Sequence, residues 1–545
     1  MSAKKLFPRM LALAAALVMI LSLALLCGCQ PKLKPITNDE PITLPLEQER
    51  TISYWICFDN TYMPGYTTYA DHPFFKWMKE KTNINIDFVV PSVSVIEIGT
   101  LRDEWMGRIA AGDTTDIVSP FWFVPDHTGS TIDSFADEEL YYELTEYVNM
   151  QMPNFNALRG VYAEIDKLML TPYQNIMYIP MLTGIEDNKD APVTQGFVVR
   201  KDFLDEIQFK SEDGVSDVPV TVADWERMLT EFQKLGVEVP YWHGTMGLAP
   251  GCVGDAFVTC YGQAYELYLD KEGNMHYGAT EDGTYKYVEM MRRWVEQGFA
   301  RTSANISRAD KLSDNVGCWG GDFNDIANLA KEAANPNYRL VAAPYPVLSV
   351  GDKLDIRATY MPIGNQEINS IYVCQSYDSP ALACKWIDQL FGQDAYLRAS
   401  YGEENVDYTV ENGEYKFTDK ILGDSRGPLY AVSENCYLGN MWAERDVLLN
   451  MVYSDEVKEA VKTWSTASSD RNTIRGTSFQ FTIEEADTLA SLGNIWITQT
   501  GMLKDMINGN REMTDWDEFV AQMNDKGLSE YIEIYQEAWD AYLAN

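Results

Sequence analysis

From Thr51 to Val118 the hydrophobic spacing alternates between strand-like and helix-like runs, and this alternation limits the fold more than any single residue does. Ile52-Ser53-Tyr54-Trp55-Ile56-Cys57 has strand character. Pro73 to Thr82 (PFFKWMKEKT) places Phe74, Phe75, Trp77 and Met78 at helical spacing, with Lys76, Lys79 and Glu80 between them. Ile84 to Val90 alternates like a strand, Leu101 to Ala111 is helical and stops at Gly112-Asp113, and Asp116-Ile117-Val118 is a short strand. Strand, helix, strand, helix, strand predicts an α/β unit with a largely parallel sheet.

The pattern returns further on. Gln195 to Arg200 reads as a strand and Lys201 to Ile207 as a helix start. Thr221 and Asp224 are spaced for a reciprocal helix cap, and that helix should run to about Leu235 and stop at Gly236. Leu267 to Tyr277 reads as a hairpin turning at Glu272-Gly273-Asn274, and Tyr285 to Gln297 as an amphipathic helix closed by Gly298. From Met441 onward the chain should be mainly helical, through Trp516–Met523 and Ser529–Leu543. With 545 residues, two or more cores are possible.

The first residues have a different character. Lys4, Lys5 and Arg9 precede an apolar run from Met10 to Leu26, about 17 residues, which is short for a spanning helix and suits a cleaved export signal. Leu26-Cys27-Gly28-Cys29 closes it and resembles a bacterial lipobox, with Cys27 where Ala or Ser is more usual. That resemblance implies removal of residues 1–28, lipidation of Cys29 and a protein held at the extracellular face of the cell membrane. Residues 29–50, with Pro31, Pro35, Pro41 and Pro45, read as a tether.

Loss of Met1–Gly28 removes three positive charges and no acid, taking the net charge from -38 to -41. Such a surface repels nucleic acid and anionic lipid. The seven remaining cysteines (Cys57, Cys252, Cys260, Cys318, Cys374, Cys384 and Cys436) are scattered and odd in number, so at least one is unpaired or all are free. Neither the Cys252–Cys260 spacing nor the four histidines form a metal-ligand pattern, and no cofactor is expected. Asp270-x-Glu272-Gly273-Asn274 lacks the spacing of a calcium loop, which favours a plain hairpin turn.

Several stretches, in order, resemble the family 1 extracellular solute-binding proteins of ABC importers, in their long Firmicutes lipoprotein branch. They are ISYWICFDN (52–60), HPFFKWMKEKTNINIDF (72–88), RIAAGDTTDIV (108–118), FVVRKDFL (197–204) with 218–229, YGEENVDYTVENGEYKFTD (401–419) and 516–543. Thr114-Thr115 and Asn405 depart from the usual Leu-Pro and Gly. The resemblance implies a type II periplasmic-binding-protein-like fold of two α/β lobes, each a mixed sheet flanked by helices, with a helical C-terminal region. Residues 51–182 and 346–395 would form lobe 1, and 195–342 and 396–545 lobe 2, with hinge crossings near 178–194 and 343–345. It implies a monomer without enzymatic activity that closes on a small molecule, an oligosaccharide above all, and delivers it to a pair of membrane permeases. Three other readings stay open: a binding protein for peptides or another small solute, a surface sensor, and an exported glycoside hydrolase.

In open α/β sheets ligands bind beyond the carboxyl ends of strands. In lobe 1 this points to Asp59, Asn60 and Tyr62 after the first strand, and to Trp122 and Asp126 after the strand ending at Val118. In lobe 2 it points to Trp242 and His243, and to Trp319 and Asp322, where Gly320 and Gly321 would let the backbone approach a ligand. Trp442 and Glu444 lie where the sugar-binding relatives often place a stacking aromatic. Flat rings suit the C–H faces of sugars, and carboxylates and amides suit their hydroxyls. Trp55, Trp77, Trp225, Trp294, Trp386 and Trp464 are expected in packing.

Overall fold

The computed structural model describes residues 34–57, 65–91, 98–119, 136, 139–183, 185, 192–244, 256–302, 305–356, 370–465, 479, 481–492 and 495–544. Within them the chain forms two α/β lobes, each a mixed sheet flanked by helices. The first lobe opens with strands β1 (Arg50–Trp55), β2 (Ile84–Val89) and β3 (Ile117–Val118). β1 lies parallel to both neighbours, with Arg50 opposite Ile84 and Tyr54 opposite Ile117. The crossover from β1 to β2 contains the helix Pro73–Thr82. Proline suits its first turn because that N–H needs no helical partner. His72 caps it by accepting from the Phe74 N–H at 3.2 Å, and Asn83 ends it in the left-handed conformation at φ 55°.

The second sheet takes β4 (Gln195–Arg200) and β5 (Val239–Trp242). A hairpin of β6 (Leu267–Leu269) and β7 (Met275–Tyr277) follows, then β8 (Ala300–Arg301), β9 (Val316–Asp322) and β10 (Leu340–Ala343). The sheet order is β10-β4-β9-β5-β8. β4 is buried at every position after Gln195, as a central strand covered on both faces must be. The helix Val222–Lys234 carries the expected cap. Thr221 Oγ1 accepts from the Asp224 N–H at 3.1 Å, and Asp224 Oδ2 accepts from the Thr221 N–H at 3.2 Å. The chain then returns to the first lobe, where β11 (Tyr372–Val373) pairs antiparallel with β3, giving the order β11-β3-β1-β2. A second hairpin, β12 (Tyr408–Glu411) with β13 (Glu414–Phe417), precedes a mainly helical tail that ends in Leu528–Ala544.

Two large cores match the two sheets, and a small third core lies under the second hairpin. Trp55, Trp225, Trp294, Trp386 and Trp464 are all fully buried, as expected of packing residues. Among the described residues, Cys260, Cys318, Cys374, Cys384 and Cys436 form no disulfide.

Three expected boundaries move. Residues 34–50 of the expected tether are docked on the first lobe: Ile36, Ile42, Leu44 and Leu46 pack against its core. Residues 346–356, expected with lobe 1, stay with the second lobe. There Tyr345 donates to the Gln195 carbonyl, Val347 N–H to that of Val220, and Lys271 pairs with Asp355. The crossing expected near 343–345 therefore lies inside the second lobe. Conversely, Ala399, Met441 and Ala443, expected in lobe 2, belong to the first core, with Tyr437 and Trp442 packed against it. Proline-ended strands suggested the boundaries, but side-chain burial decides them.

Candidate functional site

The carboxyl ends of β5, β8 and β9 share one edge of the second sheet, where Gln195 opens β4 opposite Asp322. Trp242 ends β5 almost fully buried, with the Arg301 guanidinium 5.0 Å from its ring centroid and Arg301 paired to Glu238 at 3.0 Å. His243 follows. Its Nδ1 is 2.9 Å from the Gly244 carbonyl and its Nε2 is 2.6 Å from the Tyr287 hydroxyl. Burial pushes its pKa down to about 4, so the ring is neutral at pH 7. A carbonyl only accepts, so Nδ1 carries the proton and Nε2 accepts from Tyr287. Both ring nitrogens are thus engaged within the protein.

Trp319 is not at this edge. β9 runs on through Asp322, which leaves Trp319 mid-strand, opposite Val198 on one side and Trp242 on the other. Its ring has no solvent exposure, and its indole N–H donates to Asp325 Oδ2 at 2.9 Å, where Lys311 also pairs at 2.8 Å. The structure gives this ring to the core instead of to a ligand. Gly321 serves the same packing: a Cβ there would lie 2.4 Å from Asp325 Oδ2 and 2.9 Å from Val198. Asp322 is engaged as the cap of the helix Phe323–Glu332, accepting from the N–H groups of Asn324 (2.8 Å) and Asp325 (3.3 Å).

In the first lobe, β1 and β3 lead at their carboxyl ends into residues 58–64 and 120–135. Asp59, Asn60, Tyr62, Trp122 and Asp126 therefore lie outside the described residues, as does Cys29. The structure does bring Trp442 and Glu444 together. Trp442 is half-buried against the ring of Tyr396, with centroids 4.5 Å apart, and Tyr396 donates to Glu444 Oε2 at 2.8 Å. Asn440 braces this group by donating to the carbonyls of Leu390 and Trp442, both at 2.8 Å. Leu182 N–H donates to the Met441 carbonyl at 2.6 Å, so the cluster adjoins the segment through which the chain leaves the first lobe. The result is an aromatic pair with a carboxylate at its edge, the combination that fits a sugar ring and its hydroxyls.

Tyr396 was not legible in the sequence, because it sits in the helix Gln393–Tyr401 and meets Trp442 only through the fold. The same holds for Arg426, which binds Asp424 and Glu434 and lies 4.0 Å from the ring centroid of Tyr430. The Tyr430 hydroxyl abuts Gly65, where the described residues resume after β1.

The Asp270 turn is a hairpin turn, as expected. Asp270 accepts from the N–H groups of Glu272 (2.9 Å) and Asn274 (2.8 Å). Among the described residues no group of three His, Cys, Asp or Glu is placed to hold a metal, and no helix is long and apolar enough to cross a membrane. Two cavities open on the amino-terminal edge of the first sheet, away from the expected ligand edge. One, of about 620 Å³, lies between Leu46 and Lys76, and the other, of about 320 Å³, lies beside Thr114 and Ser376. Residues 58–64 and 120–135, which follow β1 and β3 in the chain, lie outside the described residues.

No protein-family model matches the sequence, and no curated protein matches it. Solved structures do match, over nearly the whole chain. The alginate-binding protein AlgQ2, solved without calcium ion, superposes with a TM-score of 0.67 at 16% identity, covering 92% of this chain and 100% of its own. The ABC-transporter substrate-binding protein FusA of S. pneumoniae, in complex with kestose, gives 0.66 at 16%, covering 91% and 100%. An extracellular solute-binding protein from Bifidobacterium longum subsp. infantis gives 0.65 at 14%, covering 93% and 100%. At these identities the likeness establishes the two-lobe binding-protein fold.

Proposed function

We propose that this chain is the substrate-binding component of an ABC importer, held at the outer face of the cell membrane through a lipid on Cys29. In this reading it captures a carbohydrate, an oligosaccharide above all, by closing its two lobes. The observation that carries the proposal is the end-to-end match to three binding proteins, each covered to 100% of its length. One of them is an alginate-binding protein and another was solved in complex with kestose. The Tyr396–Trp442–Glu444 cluster in the first lobe has chemistry that suits a sugar, and in this reading Trp242 and Arg301, at the carboxyl edge of the second sheet, supply the other lobe's contacts. The family 1 resemblance read from the sequence points the same way.

The mechanism follows from differential binding. A ligand that touches one lobe binds the open and closed forms equally and shifts nothing, so contacts from both lobes are required. The closed form is the one presented to the permeases, and the ATPase that drives transport is a separate chain.

A thermal-shift screen tests this. The soluble chain should begin at Lys34, because the segment up to Arg50 is part of the fold. A ligand at 100 times its Kd stabilises the native state by about 2.7 kcal/mol, enough to raise Tm clearly. A rise with one class of oligosaccharide and none with peptides is the expected result. A rise with peptides alone would overturn the carbohydrate assignment, and turnover of the glycan would overturn the transport reading.

A further inference from the structure

The segment before β1 is fastened across the amino-terminal edge of the first sheet. Ile36 N–H donates to Ser379 Oγ (3.1 Å), Asn38 to the Glu146 carbonyl (3.2 Å) and Leu46 N–H to the Thr82 carbonyl (3.0 Å). Gln151, fully buried, holds the middle. Its Oε1 accepts from Ile42 N–H at 2.9 Å, and its Nε2 donates to Asn38 Oδ1 at 2.8 Å and the Glu40 carbonyl at 3.0 Å. Arg50, the first residue of β1, donates to the Lys34 carbonyl at 2.9 Å and fixes where the strap begins.

This changes the reach of the anchor. A free chain from Cys29 to Arg50 could extend about 70 Å, but with the strap docked only Cys29 to Lys34 can extend, at most about 18 Å. We propose that the amino-terminal edge of the first sheet, with the strap across it, is the surface this protein turns to the lipid bilayer, whose headgroups are its occupant. The proposal rests on the reading of Cys29 as the lipidated residue. Chain reach, not charge, holds the surface there: Lys79 pairs with Glu49 at 3.4 Å and Lys81 with Asp394 at 2.8 Å, so these cations are met on site. Proximity should therefore persist in high salt, unlike attraction to anionic lipid.

The test uses the full chain made in cells that process lipoproteins, reconstituted in phosphatidylcholine vesicles with nitroxide-labelled headgroups. A fluorescent amino acid is placed at Gln48, on the strap, or at Val215, a fully solvated position on the second lobe (80% exposed). Mass spectrometry of the amino-terminal peptide reports acylation separately. The expected result is an acylated Cys29, loss of most emission at Gln48 in low and high salt, and little loss at Val215. Inserting about 20 Gly/Ser residues between Gln30 and Pro31 gives a linker with an end-to-end distance of about 25–30 Å, which should bring Gln48 quenching down to the Val215 level. Equal quenching at the two positions, or quenching indifferent to the insertion, would overturn the orientation while leaving the anchor intact. An unmodified Cys29 would overturn both.

Discussion

Replacing Gln151 with leucine should release the strap while leaving the lobe folded. Leucine keeps most of the buried volume but removes all three hydrogen bonds to the strap. Each is worth about 0.5–1.5 kcal/mol net, and the Ile42 N–H is left without its partner, so the strap should lose about 2–4 kcal/mol of local stability. At 1.4 kcal/mol per tenfold, amide exchange in the strap should accelerate about 30- to 700-fold. Hydrogen exchange read by mass spectrometry on the soluble chain measures this directly. Peptides covering Ile36 to Leu46 should lose protection, and those covering β2 should not, because its partners lie in the sheet. Equal exchange rates in variant and parent at Ile42 and Leu46, in a variant with unchanged circular dichroism, would refute the clip. Loss of protection throughout the first lobe would refute the local character of the effect.

Four further outcomes are expected. Burial holds His72 and His243 at a pKa of about 4, below the unfolded value near 6.5, so the unfolded chain binds these protons first. The stability they contribute is complete above about pH 6.5 and is lost as pH falls through 4, and NMR of the His243 ring should show titration near pH 4; a midpoint near 6.5 would refute its burial. Gly196→Ala should destabilise the second lobe by about 1–3 kcal/mol or more in thermal melts, because its Cβ would lie 2.1 Å from the Trp464 ring. Trp319→Phe should cost about 1–3 kcal/mol of stability by leaving Asp325 without its indole partner, with ligand Kd unchanged. Trp442→Ala should instead raise Kd about tenfold or more with little change in Tm, and the reverse pattern in calorimetry would exchange the two roles.

How much of this was legible in the sequence depended on how local each signal is. β1, β2 and the helix between them follow from spacing within about ten residues of each position, as does the cap formed by Thr221 and Asp224. The strap failed that test. Prolines and polar residues gave it the composition of a free tether, and the residue that binds it, Gln151, lies 109 positions beyond Ile42. The boundaries near 345 and 396 failed for the same reason, since the hydrogen bond from Val347 to Val220 and burial of Ala399 in the first core are long-range events. The aromatics expose a second limit. Strand alternation tells one face from the other, but helices cover both faces of the second sheet, so parity cannot separate a core tryptophan from one at a ligand. Only distance from the strand's carboxyl end can. Trp319 stands three residues before the end of β9 and is core, Trp242 is the last residue of β5 and retains a sliver of exposure, and Trp442 lies outside any strand or helix and packs only half-buried. In a sheet covered on both faces, ligand rings should therefore be sought at or after a strand's last ladder pair, and a tryptophan followed by further ladder pairs of its own strand belongs to the core however inviting its glycine neighbours look.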